Sequence, residues 1–263
     1  MFVKQQQIKK LIIAFFILNL NLAGAATFDH AYKQWTKILS TYVVQGEFSS
    51  GVNYKKLKNN SEVFNIFLRS IEDVSSNDFD SFTQQQKLVF LINAYNALTL
   101  KLIIDHYPVK SIKDIGSFFT GPWKMKFFKL FGVDSNLDNI EHNFIRKNFD
   151  EPRIHFALVC ASIGCPALSS HAYTEDKLEE QLEEAAVRFL HDSTRNRYLL
   201  QEKKLEISSI FKWYGEDFKN KYSSYLAFIA SRITRNSRDQ EELRSKEIKV
   251  TFLPYNWDLN ETK

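Results

Sequence analysis

The stretch RIHFALVCASIGCPAL, residues 153–168, holds both cysteines of the chain, Cys160 and Cys165, with His155 just upstream. Three chemistries suit this spacing. A disulfide would close a six-residue loop, and a chain turning at Gly164 and Pro166 can bring two Cα atoms within the ~4.4–6.8 Å that a disulfide spans. Such a staple is worth roughly 2 kcal/mol in the chain-entropy model. A metal clip would need two ligands beyond the thiolates, and only His155 lies close in sequence. A nucleophile would need one thiolate beside a base and an oxyanion donor. Cys160 stands where such a residue belongs, at the end of an apolar run and the start of a loop. The backbone N–H groups of Ala161 to Gly164 are candidate oxyanion donors.

The base has to be a histidine, whose ordinary pKa lies near neutrality. Of six, His30 and His191 fall in helix ends or surface segments, His106 ends a helix, and His171 sits in a loop. His142 and His155 remain. His142 has Asp138 one helical turn before it as an orienter. His155, read on a strand, is an odd number of positions from Cys160 and faces the other way. It therefore reads as a core histidine and the poorer base. Glu141 falls within the apolar stripe Leu137, Ile140, Phe144 and Ile145, so its carboxylate needs a buried partner. Arg153 or a histidine could supply one. Neighbouring helix positions diverge by ~100°, so Glu141 is not expected to orient His142 itself.

These residues need elements to hold them. TQQQKLVFLINAYNALTLKLIIDHYP predicts a long, buried helix, capped by Thr83 with Gln86 completing a capping box, and stopped by Pro108. Asn93 and Asn96 lie one turn apart on it, and buried amides must be hydrogen-bonded. They either tie down adjacent loops or position the site. GPWKMKFFKLF alternates as a half-buried strand that returns through 128–131. SNLDNIEHNFIRKNF is a helix capped by Ser135 or Asn136. RIHFALVC reads as a strand covered on both faces. YTEDKLEEQLEEAAVRFLHD is an amphipathic helix with a solvated glutamate face. A short strand, two further helices and the strand IKVTFL complete the chain. The expected fold class is α+β, several helices on a modest, mostly antiparallel sheet.

The first residues address the compartment. Three lysines, an apolar run and Ala23-Gly24-Ala25 form a signal-peptide pattern with cleavage after Ala25. Removing it leaves 238 residues and takes the net charge from +4 to +1. The basic balance thus belongs largely to the leader and argues against a nucleic-acid partner. No later run predicts stable membrane insertion. The mature chain, 26–263, is expected to be one domain, with a helical portion over about 26–80 and a motif-bearing core over about 81–263, periplasmic or secreted.

FLINAYNALTL (90–100), LDNIEHNFIR (137–146), PRIHFALVCASIGCPAL (152–168), SSIFKWYGEDF (208–218) and LPYNWDLN (253–260) together resemble the DUF547 family. Leu91 stands where that family usually has Trp, Val159 where it has Asn, and Asn256 where it has Asp. The family is similar to papain-like thiol enzymes in its Cys and Glu-His motifs. The resemblance implies that Asn93, Asn96, Glu141, His142, Arg153, His155, Cys160 and Cys165 form one cluster. The expectation is an exported thiol hydrolase or acyltransferase on an amide or peptide-like, cell-envelope substrate, without cofactor or metal. Cys160 would be the nucleophile, His142 the base and Glu141 their support. The alternative is a non-catalytic module stapled by Cys160–Cys165.

Overall fold

The computed structural model describes residues 28–117, 120–245 and 247–262. The expected signal peptide and its expected cleavage point lie outside the described residues. The helix Gln84–His106 is the spine of the molecule. Its start is the expected capping box: Thr83 Oγ1 accepts from Gln86 N at 3.1 Å, and Gln86 Oε1 accepts from Thr83 N at 3.0 Å. Every residue from Leu88 to Leu100 is buried. Its length and hydropathy would suffice to cross a membrane, yet 89% of that apolar window is packed inside the protein. It is the core helix of a folded unit.

Two hydrophobic cores flank the site. The first gathers the helices Lys33–Tyr42, Tyr54–Asn59 and Glu62–Glu72 around the spine, with Trp35 stacked on Phe67 at 5.2 Å. The second is built on a three-stranded sheet. Lys204–Ser208 pairs antiparallel with Arg197–Leu199 and parallel with Lys249–Leu253. The helices Leu178–Leu190, Ile210–Tyr214 and Tyr225–Ile233 contribute to this core, which packs Phe156, Phe189, Phe211, Phe218 and Phe228. The class is α+β. Among the described residues the strands form three small sheets rather than one: two separate two-stranded hairpins and this mixed one.

The cysteine-bearing stretch runs along the seam. Ile154, Leu158 and Val159 join the first core, while Phe156 joins the second. It is not a strand. Pro152–Phe156 is a 3₁₀ helix, begun by proline and capped by Glu151, whose side chain accepts from Arg153 N at 3.1 Å. A run buried on all sides carries the same apolar signature whether extended or helical, so periodicity could not separate the two. Instead of a neighbouring strand, one side chain satisfies this backbone. Asn96 Nδ2 donates to Ala157 O at 2.9 Å, and its Oδ1 accepts from Val159 N at 3.0 Å. Asn93 does the same for Tyr173, donating to its carbonyl at 2.8 Å and accepting from its N–H at 3.0 Å.

The strand expected over 123–127 is instead a 3₁₀ turn, Pro122–Lys124. The hairpin follows it, Phe128–Leu130 against Val133–Ser135. Behind the cysteine loop, residues 255–260 close back on it. Ile163 N–H donates to Asp258 O and Gly164 N–H to Asn256 O, both at 2.8 Å, and Asn260 N–H donates to Ala161 O at 3.1 Å. A Cβ on Gly164 would sit 2.9 Å from Asn256 O and 3.0 Å from Tyr255 Cδ1, so this approach requires glycine.

Candidate active site

A pocket of about 280 Å³ opens at the seam. Cys160, Cys165, His142, His155, Glu141 and Asp138 all line it, between walls of tryptophan and tyrosine. Asn93, Asn96 and Arg153 do not. The two asparagines hold the loops that frame the pocket, as described above. Arg153 is buried in a separate ionic network, bonded through Nε and Nη2 to Glu151 at 2.7 Å and through Nη2 to Glu179 at 2.7 Å. It therefore does not neutralise Glu141.

Glu141 and His142 come from Asn139–Ile145, a π-helical segment whose start is set by Asn136 Oδ1 accepting from Asn139 N at 2.8 Å. An i→i+5 helix carries more residues per turn than an α-helix, so adjacent side chains diverge less. That is why both neighbours reach one pocket. The buried Glu141 carboxylate accepts from Tyr95 Oη at 3.2 Å, and its charge also acts on the Tyr214 phenol. Burial, reinforced by the Glu141 charge, drives the pKa of both phenols upward, so they stay protonated donors.

His155 is the more completely built histidine. Its side chain is 2% exposed, and its ring stacks on Tyr214 at 4.0 Å between centroids. Nε2 lies 2.8 Å from Asp217 Oδ2. A carboxylate can only accept, so Nε2 carries the hydrogen and Nδ1 keeps its lone pair in the neutral ring. Burial lowers the His155 pKa, against the opposing pull of Asp217, and keeps the ring neutral. Asp217 is fixed from the other side by Arg146, through Nε at 2.6 Å and Nη2 at 2.7 Å. Burial alone would raise the Asp217 carboxyl, but the bonds and charges of His155 and Arg146 outweigh it and hold it well below the usual carboxylate range. Arg146 Nη1 also donates to His142 Nδ1 at 3.0 Å. His142 itself is more exposed, and its Nε2 is 3.9 Å from Asp138 Oδ1.

Cys160 and Cys165 are joined in a disulfide, with their Cα atoms 6.2 Å apart. That leaves no free thiolate pair for a metal. Among the described residues, no three histidine, cysteine or acidic side chains converge to hold an ion. Cys160 Sγ lies 3.0 Å from Ser162 Oγ and 3.1 Å from Tyr255 Oη. Burial pushes Tyr255 up to about 12, so its hydroxyl remains a donor. Between the sulfurs, Ala161 sits in the left-handed region at φ 57°, a strained setting common at functional turns. The N–H groups of Ile163 and Gly164, expected as oxyanion donors, are spent on the Asp258 and Asn256 carbonyls. Of the four expected donors this leaves the N–H groups of Ala161 and Ser162, and the two hydroxyls lie beside the Cys160 sulfur.

Asp217, Tyr95 and Tyr214 were not among the residues the sequence singled out for the site. Asp217 and Tyr214 do fall in SSIFKWYGEDF, one of the stretches that carries the family resemblance, and that was the available signal. Residues 79–190 match a family model described as "Protein of unknown function, DUF547". The stretches at 208–218 and 253–260 lie beyond that match. No curated protein and no solved structure matches the chain.

Proposed function

The chain belongs to the DUF547 family through residues 79–190, and from its pocket we propose a thiol-dependent acyl-transfer enzyme, an exported hydrolase or acyltransferase of amide or peptide-like bonds. One observation carries the reading: a cysteine shares a pocket with a buried histidine whose far nitrogen is held by an ionised carboxylate. This is the nucleophile, base and orienter arrangement of thiol catalysis. His155, rather than His142, is the base, because it alone has the orienter, the burial and the free Nδ1. His142, Arg146 and Glu141 position that base through Asp217 and Tyr214.

The nucleophile is masked as the Cys160–Cys165 disulfide and is released by a dithiol reductant, which is itself oxidised as both thiols form. His155 Nδ1 then takes the Cys160 proton, and the thiolate attacks the acyl carbon. The C–S bond forms as the carbonyl π pair moves to oxygen, beside the Ser162 and Tyr255 hydroxyls. The amine leaves with the proton from His155. Water or a second amine completes the cycle through the same base.

The disulfide favours a second reading, a binding module in which the two sulfurs only brace the loop. One experiment separates them. Reduced protein is incubated with an activated acyl ester and weighed intact. The enzyme reading expects one acyl adduct on Cys160, lost in Cys160→Ser and in unreduced protein. No adduct on a thiol that iodoacetamide still alkylates would leave the brace.

A further inference from the structure

We propose that this pocket takes a cationic group, an alkylammonium of the lysine side-chain type, as part of the substrate; the inference rests on the acyl-transfer reading for its role but not for its binding. Six aromatic side chains line the cavity: Tyr95, Trp123, Trp213, Tyr214, Tyr255 and Trp257. Four of them form one continuous surface. Tyr255 and Trp257 lie 4.5 Å apart, Trp213 is 5.0 Å from Tyr255 and 5.8 Å from Trp257, and Trp123 meets Trp257 edge-on at 5.7 Å. Trp213 is 45% exposed, an unusual cost for so large a ring unless something covers it.

Charge chooses among the ligands such a wall could take. The lining holds two carboxylates, Asp138 and Glu141, and neither lysine nor arginine. Glu141 accepts from the Tyr95 hydroxyl, which brings no positive charge to it. Asp138 has the 3.9 Å approach of His142, with Lys124 acting on it from outside the lining. A negative, aromatic-walled cavity attracts a desolvated cation through both the carboxylates and the ring faces. The chain already uses the wall this way from elsewhere, with Lys113 Nζ 4.7 Å from the Trp257 ring centre. A neutral sugar would also stack on tryptophan, but it gives no account of two acids in a lining that holds no lysine or arginine. An anionic ligand is repelled. About 280 Å³ suits one extended side chain rather than a folded segment.

The test is binding to the unreduced, full-length protein, followed by tryptophan fluorescence and calorimetry. The probes are N-acetyl-lysine methylamide, its norleucine counterpart lacking the ammonium, and a neutral disaccharide. The lysine amide should bind about tenfold or more tighter than the norleucine amide. That preference should shrink severalfold in Asp138→Asn and in Trp213→Ala, two partly exposed positions where folding is checked by thermal melting. Equal binding of the two amides, tighter binding of the disaccharide, or a preference that survives both substitutions would overturn the proposal. Absent turnover with the preference intact would instead count against the thiol chemistry alone.

Discussion

On the acyl-transfer reading, Asp217→Asn isolates the contribution of the carboxylate beside His155 to the thiol. In the folded protein Asp217 Oδ2 holds His155 Nε2 at 2.8 Å. Once Cys160 is reduced and its proton has passed to His155, this carboxylate faces an imidazolium. With the charge centres about 4 Å apart and an effective dielectric of about 20, the attraction is about 4 kcal/mol. Not all of it reaches the thiol. Arg146 claims both oxygens of the same carboxylate, and Asp217 keeps 23% of its side chain in solvent. A third to a half, about 1.4–2 kcal/mol, corresponds to about one to one and a half pKa units. The asparagine variant should therefore show Cys160 titrating higher by that amount. Its alkylation at pH 7 should slow severalfold, with about tenfold per pKa unit as the upper limit.

The assay is pseudo-first-order iodoacetamide labelling of reduced protein from pH 5 to 9, read by mass. Native unreduced protein should not label at all. Reduced wild type should titrate below the free-thiol value of ~8.5. The variant also loses a charged hydrogen bond, at about 1.5–3 kcal/mol of stability, so its melting is recorded in parallel. Superimposable labelling profiles for two folded proteins would refute the claim that Asp217 acts on the thiol through His155. A profile moved equally by His142→Gln and unmoved by His155→Gln would return the role of base to His142.

Two further outcomes follow. Asn96→Leu strips a buried carbonyl and a buried N–H of their partner, at about 1–3 kcal/mol each. The melting temperature should fall by several degrees, with Asn93→Leu similar; an unchanged melt would mean that these backbone groups find other partners. Acidification should also destabilise the protein. His155 is depressed below its unfolded value, so the folded state binds fewer protons, and stability present above pH ~6.5 is lost as the pH falls from there through the folded pKa. Asp217 and Glu151, both held low by their partners, add losses of the same sign at lower pH. A melting temperature that is flat between pH 7 and 5 would contradict a buried, neutral His155.

Local patterns were readable wherever local physics decides. The capping box at Thr83, the burial of Asn93 and Asn96, the Asn136 cap and the strand at Lys249–Leu253 all express spacing within one element. The buried setting of Glu141 was legible for the same reason. What failed had a tertiary cause. The extended reading of 153–160 assumed a sheet that does not exist, and with it went the argument that turned His155 away from Cys160. The π-helical turn was not read from the sequence, although the expectation that Glu141 does not orient His142 stands, since Glu141 bonds Tyr95 and His142 meets Arg146 and Asp138. Asp217 is 62 residues from His155, and nothing in GEDF marks it as a partner until the chain has folded.

The closure of residues 255–260 over the cysteine loop also sets an order of assembly. Cys160 has only five positions to span to reach Cys165, whereas Tyr255, whose hydroxyl meets the same sulfur, must arrive from 95 residues away. Loop closure costs rise with that separation, and distant contacts form late. The sulfurs can therefore find each other while the aromatic wall is still absent. For that interval they stand open to any passing thiol, before the wall that narrows their approach is in place.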